Sequence, residues 1–459
     1  MGSTAAEFLT DAEDKAFDLR HRNIINYNMA KYNAAASRGI SRLVNLENTK
    51  RKGHVTKWRT MENLDKYLIE FEANFQRRGG KVIWANDTAE AQREILNIMQ
   101  RAGAKTVIKS KSMVTEEIHL NEFLDEHHIE SLESDLGEYI IQLLGQKPYH
   151  IVTPAMHLSK EDIAKLFHEK FGTPLDFTPE QLTMKARELL REKYLRADIG
   201  ISGANFVLAD TGSIAISENE GNARLTTTFP RIHISVTGIE KLIPSIMDLD
   251  LYWPMLATHG TGQNLTVYNS IISGPRQPGE TDGPEEMYIV LLDNGRTNLL
   301  SRKEEREGLY CIRCGACLNG CPVYQNVGGH TYNTTYSGPI GSIITPHIRG
   351  MEEFKHLSYA SSLCGKCTEV CPVKIEIHKM LLLNRRDAVK EHVVSKVETI
   401  GWSVWKRAMR SRTLTDFFGG KWKNFFMQMF FKKTWGHYRE MPKVADKSFA
   451  TLWKERQKK

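Results

Sequence analysis

The 459-residue chain has no cysteine before residue 311 and none after residue 371; all seven lie inside that window. A secreted scaffold stapled by disulfides would spread its cysteines and pair them, and an odd, clustered set does neither. No run of 18 or more apolar residues occurs, so no transmembrane helix is expected. The opening "MGSTAAEFLTDAEDK" has no basic n-region and no apolar h-region, and no secretory signal is expected. Ala6 stands where myristoylation of Gly2 would require Ser or Thr. No strand-like run is followed by G-x-G-x-x-G with a later acidic residue, which argues against hydride chemistry on a nicotinamide or flavin in this chain. Clustered thiols in such a chain read as metal ligands in a reducing compartment, and a cytoplasmic protein is expected.

Excess positive charge is also missing from most of the chain. Residues 401–459 carry 15 Lys or Arg against 4 Asp or Glu, so the remainder of a chain whose net charge is +7 is slightly acidic. A uniformly basic body would suggest nucleic acid, whereas a basic tail suggests a docking element. Within it, "KWKNFFMQMFFKK" (421–433) places Trp422, Phe425, Phe426, Met429 and Phe430 on one helical face. Such a helix suits packing on its own protein, a partner's groove or an anionic membrane surface.

Residues 1–77 have no proline and read as a helical N-terminal region. The run 63–80 has apolar Leu64, Leu68, Phe71 and Phe75 at helical spacing and stops at Gly79–Gly80. From residue 78 to about 300 short β-rich runs alternate with capped helices: "KVIWA" (81–85), "KTVIKS" (105–110), "HIVTP" (150–154) and "MYIVLLDNG" (287–295). Between them lie helices opening at Asp87 and Ser159 and one continuous helix over "VTEEIHLNEFLDEHH". This alternation predicts an α/β domain with a largely parallel sheet. Residues 199–238 read as turn-joined strands closing that domain. A helical ferredoxin-type domain is expected over 301–395 and the basic aromatic tail over 396–459.

"CIRCGACLNGCP" is a complete ferredoxin ligand run, Cys311, Cys314, Cys317 and Cys321 before Pro322. Two-residue gaps let one tight loop aim three thiolates at three corners of a cubane, while the fourth ligates the other cluster. "SSLCGKCTEVCP" repeats the run with Ser361 in the first ligand position, leaving Cys364, Cys367 and Cys371. Crossing the ligands gives Cys311, Cys314, Cys317 and Cys371 to a first [4Fe–4S] cluster. Cys321, Cys364 and Cys367 fall to a second. Structural zinc prefers paired C-x2-C units and four closed ligands, which fits three successive two-residue steps poorly. The open corner of the second cluster has four candidate solutions: the Ser361 oxygen, a histidine among His330, His347 and His356, a [3Fe–4S] cluster, or an iron open to an exogenous ligand.

These two runs, together with "SGANFVLADTGSIAISENEGNAR" and "VLLDNGR", resemble the lactate utilization protein B family along essentially the whole chain. The resemblance implies a LUD domain, an α/β fold related to sugar-phosphate isomerases and CoA transferases, followed by an α-helical two-cluster ferredoxin-type domain. It implies two [4Fe–4S] clusters, the crossed ligands above, and three cysteines at the second cluster. It further implies an electron carrier in a multiprotein system oxidising L-lactate, with a cysteine-rich CCG-domain protein and a second LUD-domain protein as partners and a separate electron acceptor.

Two other readings stay open. The LUD domain could be catalytic toward a carboxylic acid or CoA ester: "SENEG" (217–221) resembles the Ser-Glu-Asn-Gly turn of CoA transferases, with Glu218 as nucleophile, although Glu220 interrupts the match. Alternatively the open iron corner could serve a redox sensor. "ADTGSI" (209–214), "THGTGQNL" (258–265) and "KSKSMVTEE" (109–117), the last with Lys109 and Lys111, are candidate anion-binding turns.

Overall fold

The computed structural model describes residues 3–417, 419–436 and 439–458. The chain divides into two compact units, Met1–Asp387 and Ala388–Lys459. The first opens with helices Ser3–Phe17, Leu19–Ile40, Leu46–Glu62 and Leu64–Arg77. In the last of these Phe71 and Phe75, one turn apart, are fully buried and stacked.

Ten strands follow: β1 Lys81–Ala85, β2 Thr106–Lys109, β3 Glu130–Glu133, β4 Ile199–Ser202, β5 Phe206–Leu208, β6 Ser213–Glu218, β7 Ile232–Gly238, β8 Leu242–Ile243, β9 Tyr268–Ile272 and β10 Glu286–Leu292. Six form one sheet in the order β1-β10-β7-β4-β2-β3, every neighbouring pair parallel. β7 is buried at every position and β10 at all but its first, as expected where helices cover both faces. A second sheet, β8-β5-β6-β9, stands beside it. The run 199–238 is therefore split between two sheets rather than forming one set of turn-joined strands: β4 and β7 join the parallel sheet, β5 and β6 the other, and helix Asn222–Thr228 intervenes.

Local signals account for the helix ends. Asp87 and Ser159 accept from the backbone N–H of Glu90 and Asp162, and Gly103 and Gly172 close their helices in the left-handed region. Two expectations fail. The continuous helix over 114–128 is broken into Met113–Glu117 and Leu120–Glu126 by His119 at φ 49°. The segment 150–154 is not a strand. There the His150 imidazole Nδ1 accepts from the backbone N–H of Val152 and Thr153, so donors that a ladder would use turn inward on the chain itself.

The cysteine-bearing region is built of short helical turns, Ala316–Asn319, Tyr324–Val327 and Lys366–Glu369, around the longer helices Gly338–Arg349 and Ile377–Lys390. Its apolar side chains belong to the same continuous core as the second sheet: Cys314, Cys317, Cys321, Cys367 and Cys371 pack in one cluster with Ile214, Leu242 and Met255. One face of the parallel sheet buries a separate core that includes Ile232, Ile234, Val236, Val290 and Leu292, while Met287, Ile289 and Leu291 on the other face of β10 join the first cluster.

In the second unit, helices Lys396–Met409, Arg412–Asp416 and Phe449–Gln457 contain no buried residue. Helix Gly420–Trp435 carries the aromatic series expected there, with Phe426 stacked on Phe430 and Trp422 against Phe425 and Phe426. Trp422, Phe425, Met429 and Phe430 are more than half exposed. Among the described residues no helix is long and apolar enough to cross a membrane.

Candidate functional site: two thiol-lined cavities and a third beside them

Cys311, Cys314, Cys317 and Cys371 line one cavity, together with apolar Ile151, Ile312, Ile340, Val373, Ile375 and Ile377. Cys321, Cys364 and Cys367 line a second, with Pro322, Pro339, Ala360, Ser361, Ser362 and Lys366 on its walls. The loops that aim the thiols are short. Gly315, left-handed at φ 79°, opens the turn that carries Cys317; Gly365, at φ 80°, opens the one that carries Cys367. The two sets adjoin closely enough that charge on Cys367 contributes to raising the Cys317 thiol.

The thiols are all free. Burial pushes Cys317 and Cys314 well above the ordinary thiol range, Cys371 to about 12 and Cys367 to about 11, with charge from neighbouring cysteines adding to it. Groups so placed would stay protonated on their own; a cationic metal centre supplies the charge that makes the thiolate the stable form. Backbone N–H groups of Arg313 and Ile375 donate to Cys311 Sγ and Cys371 Sγ, each at 3.4 Å, the kind of hydrogen bond that tunes a cluster. Among the described residues no three His, Cys, Asp or Glu side chains close on the position of a single ion. The donors instead ring cavities, and their chemistry fits an iron–sulfur cluster, whose ligands sit at separate corners.

The second set reaches the surface. Cys364 is exposed, and hydrogen bonds from the Lys366 backbone and the Ser362 side chain lower its pKa. Ser361 Oγ accepts from the Leu363 N–H at 3.1 Å. Ser362, a second oxygen on the same wall, has no signal in the ligand spacing. The three candidate histidines lie elsewhere. His330 bonds the Lys147 carbonyl, His347 bonds Asn384, and His356 bonds the Glu353 carbonyl; none lines either thiol cavity among the described residues.

A third cavity, of about 480 Å³, abuts the first thiol set: Cys314 and Arg313 form part of its wall. Lys111, Glu218, Glu220 and Lys241 also line it. Lys111 Nζ donates to the Val152 carbonyl at 2.6 Å. Lys109, its neighbour in sequence, points elsewhere and is buried against Glu133 at 2.6 Å. Glu218 accepts from the backbone N–H of Ala223 at 2.6 Å and Arg224 at 2.9 Å, so it caps helix Asn222–Thr228 from the cavity wall. Burial raises its pKa, and burial with Asp135 raises Glu220 to about 7. Of the other candidate turns, 258–265 contributes Gly260 and Thr261 to the cavity. The turn 209–214 does not line it: Asn74 holds the carbonyls of Ala209 and Asp210, and the Asp210 carboxylate accepts from Ser245 and Ile246.

Behind this cavity lies a buried ionic network. Arg296 forks onto Glu117 at 2.9 and 2.8 Å and donates through Nε to Glu240, and Tyr336 donates to Glu117 at 2.6 Å. Arg313, from the first ligand loop, approaches Glu240 at 3.4 Å and lies over the Tyr336 ring, 4.3 Å from its centroid.

Residues 68–292 match the LUD domain model and residues 307–375 the 4Fe-4S dicluster domain model. The chain is 41% identical over 435 residues to lactate utilization protein B of Bacillus licheniformis, covering 90% of this chain and 91% of that one. It is 41% identical to lactate utilization protein B of Bacillus subtilis (strain 168), covering 90% of each chain. The chain belongs to the lactate utilization protein B family. It is also 43% identical over 380 residues to an uncharacterized electron transport protein, YkgF, of Escherichia coli (strain K12), covering 81% of this chain and 78% of that one. The family's two parts are thus both present here, an α/β LUD domain and a helical dicluster region for two [4Fe–4S] clusters.

Proposed function

We propose that this chain is the iron–sulfur electron carrier of a cytoplasmic system that oxidises L-lactate to pyruvate. The first cluster is assigned to Cys311, Cys314, Cys317 and Cys371, and the second to Cys321, Cys364 and Cys367. The observation that supports the reading is the crossed grouping of seven thiols about two adjoining cavities, one enclosed and one reaching the surface at Cys364. Oxidation of lactate to pyruvate releases two electrons and two protons, and iron–sulfur clusters supply one-electron steps. The chain's own part is to hold the thiolates and to keep water from the enclosed set with Ile151, Ile340, Val373 and Ile375. It also aims N–H groups at Cys311 and Cys371, which sets potential through hydrogen bonding and burial. The exposed set is the side from which an external acceptor is reached. Its natural partners are a cysteine-rich CCG-domain protein and a second LUD-domain protein, the relative at which lactate itself is oxidised being among them.

Rapid-freeze EPR of the anaerobic protein, mixed with lactate and those partners, tests the reading. A cluster signal growing at the turnover rate is expected. Clusters that stay oxidised through steady turnover exclude an electron carrier and leave a structural or sensing role.

A further inference from the structure

The third cavity lies where open parallel sheets bind ligands. After β2 the chain adds β3 on one side, then returns to place β4 on the other side of β2, so the winding reverses between β2 and β4. Ligand crevices in such sheets form at the carboxyl ends of the strands beside this reversal. The residues just after β2 (Ser110, Lys111, Ser112) and just after β4 (Gly203, Ala204, Asn205) all line the cavity, as does Lys241 a few residues after β7. Gly203 keeps the crevice narrow at its floor: a Cβ there would meet Ser112 Oγ at 2.8 Å.

Two cations face this space, and both share the Glu240 carboxylate with Arg296. The Arg313 side chain is 9% exposed; its Nη2 reaches Glu240 only at 3.4 Å, and its Nε and Nη1 have no hydrogen-bond partner. Glu240 is already held by Arg296 through a much closer contact. Lys241 is 8% exposed, and no hydrogen bond to it occurs among the described residues. A buried guanidinium with two unpaired nitrogens carries a penalty that an anion removes. The lining also has apolar Val114, Ile151, Ile216 and Leu256. Its carboxylates, Asp135, Glu218 and Glu220, share the wall with Lys111 and disfavour a second negative charge on a ligand.

We propose that this cavity binds an organic monocarboxylate with an apolar body longer than lactate's methyl group, its acid group held by Arg313 and Lys241 beside Cys314. Arg296, Arg313 and Lys241 face the carboxylates Glu117 and Glu240, a balance of one positive charge that one ligand carboxylate matches; the lining carboxylates disfavour phosphates and other polyanions, and about 480 Å³ is in the size range of sites for ligands well beyond three carbons. The site places such a ligand against the first ligand loop, at Arg313 and Cys314. This inference goes beyond the electron-carrier reading and does not depend on lactate being the electron source; it concerns binding by the isolated full-length holoprotein.

Calorimetric titration of the anaerobic, iron-loaded full chain with butyrate, hexanoate and 1-hexanol tests it. Hexanoate is expected to bind with one-to-one stoichiometry, each added methylene tightening binding about fourfold, and 1-hexanol to bind at least about tenfold more weakly for want of the charge-assisted contact. Lys241→Gln is expected to lose about tenfold for hexanoate and nothing for 1-hexanol, with Lys241→Arg retaining wild-type binding. Hexanoate is also expected to perturb the EPR signal that Cys371→Ser abolishes. Absence of binding, equal affinity for hexanoate and 1-hexanol, or unchanged hexanoate binding in Lys241→Gln overturns the proposal. The last result would mean that Lys241 serves only the cluster's charge, or that the acid sits on the aromatic surface of the tail. Should Lys241→Gln fail to load iron, the wild-type ratio of hexanoate to 1-hexanol and the Lys241→Arg result decide.

Discussion

Gly315 and Gly365 hold the same left-handed backbone, φ and ψ of 79° and −7° in one and 80° and −4° in the other, each opening a one-turn helix. Two residues before them Arg313 and Leu363 are also left-handed, at φ 61° and 54°. The two ligand runs are therefore one loop made twice, with Ser361 in the register of Cys311. Their surroundings differ. A Cβ on Gly315 would meet Val152 Cγ2 at 2.9 Å and His150 Cε1 at 3.2 Å, whereas nothing lies within 4 Å of one on Gly365. Alanine at either position bears a left-handed penalty of about 1–2 kcal/mol. Gly365→Ala is expected to lose about that much, and Gly315→Ala at least about 1 kcal/mol more from overpacking. Thermal unfolding of the iron-loaded variants measures the difference, and equal losses would remove the close approach of the first loop to the LUD domain as its cause.

The crossed assignment makes a prediction that a sequential one does not. Cys371 shares a cavity with Cys311, not with its sequence neighbours Cys364 and Cys367. Cys371→Ser and Cys311→Ser are expected to disturb the same reduced-cluster EPR signal, and Cys321→Ser and Cys364→Ser the other. If Cys371→Ser instead behaves like Cys364→Ser, each run binds its own cluster and the crossing is wrong.

The grouping of the thiols could be read from spacing because it is local chemistry: a loop with two-residue gaps can present only three sulfurs to one cubane. The helices opening at Asp87 and Ser159 were legible for the same reason, since cap and stop residues act within a turn. The third cavity was legible only in pieces: Lys111, Glu218 and the turn 258–265 were separate candidates, and their convergence was not visible. Lys111, Lys241 and Arg313 are brought together by the order of strands in a parallel sheet and by insertion of a ligand loop at its carboxyl edge. Arg313 was visible inside the first run, but nothing local to "GIEKLIP" marks Lys241. The segment 150–154 misled because an apolar, β-branched pair before proline looks like a strand. Its donors go to the His150 ring instead, and Ile151 is delivered to the first thiol cavity.

Arg296 joins two carboxylates from different elements, Glu117 at the end of helix Met113–Glu117 and Glu240 just after β7, and all three are almost wholly buried. Burial alone would raise the Glu240 pKa, but Arg296, Arg313 and Lys241 outweigh it and hold it at about 2. Its folded value lies below its unfolded one, so its contribution is complete above about pH 4.5 and is lost as pH falls toward 2. At neutral pH Arg296→Met leaves two buried charges without their main partner and is expected to cost about 3–5 kcal/mol. Glu240→Gln is expected to cost less, since Arg296 keeps Glu117, and to flatten stability between pH 4.5 and the acid limit. Urea unfolding of the three proteins across pH checks both. An Arg296→Met protein as stable as wild type would show that the network adds nothing.

Ser361 sits in the register of a cysteine ligand, on the wall of the cavity that holds Cys321, Cys364 and Cys367. Its hydroxyl accepts from the Leu363 N–H as Cys311 Sγ accepts from the Arg313 N–H. A [4Fe–4S] cluster held there by three thiolates would have one iron without a cysteine thiolate, and that iron is the one mild oxidation would remove. The wild-type protein, briefly exposed to ferricyanide, is expected to lose about one iron in eight and to develop a [3Fe–4S] EPR signal. Ser361→Cys supplies the fourth thiolate two residues before left-handed Leu363, as Cys311 stands before Arg313, and is expected to keep its iron under the same treatment. Replacement of Ser362, the neighbouring oxygen, by Ala should leave the wild-type behaviour intact. If Ser361→Cys loses iron as readily as wild type, the open corner lies elsewhere on the cluster; if Ser362→Ala alone makes the iron more labile, Ser362 rather than Ser361 holds that corner.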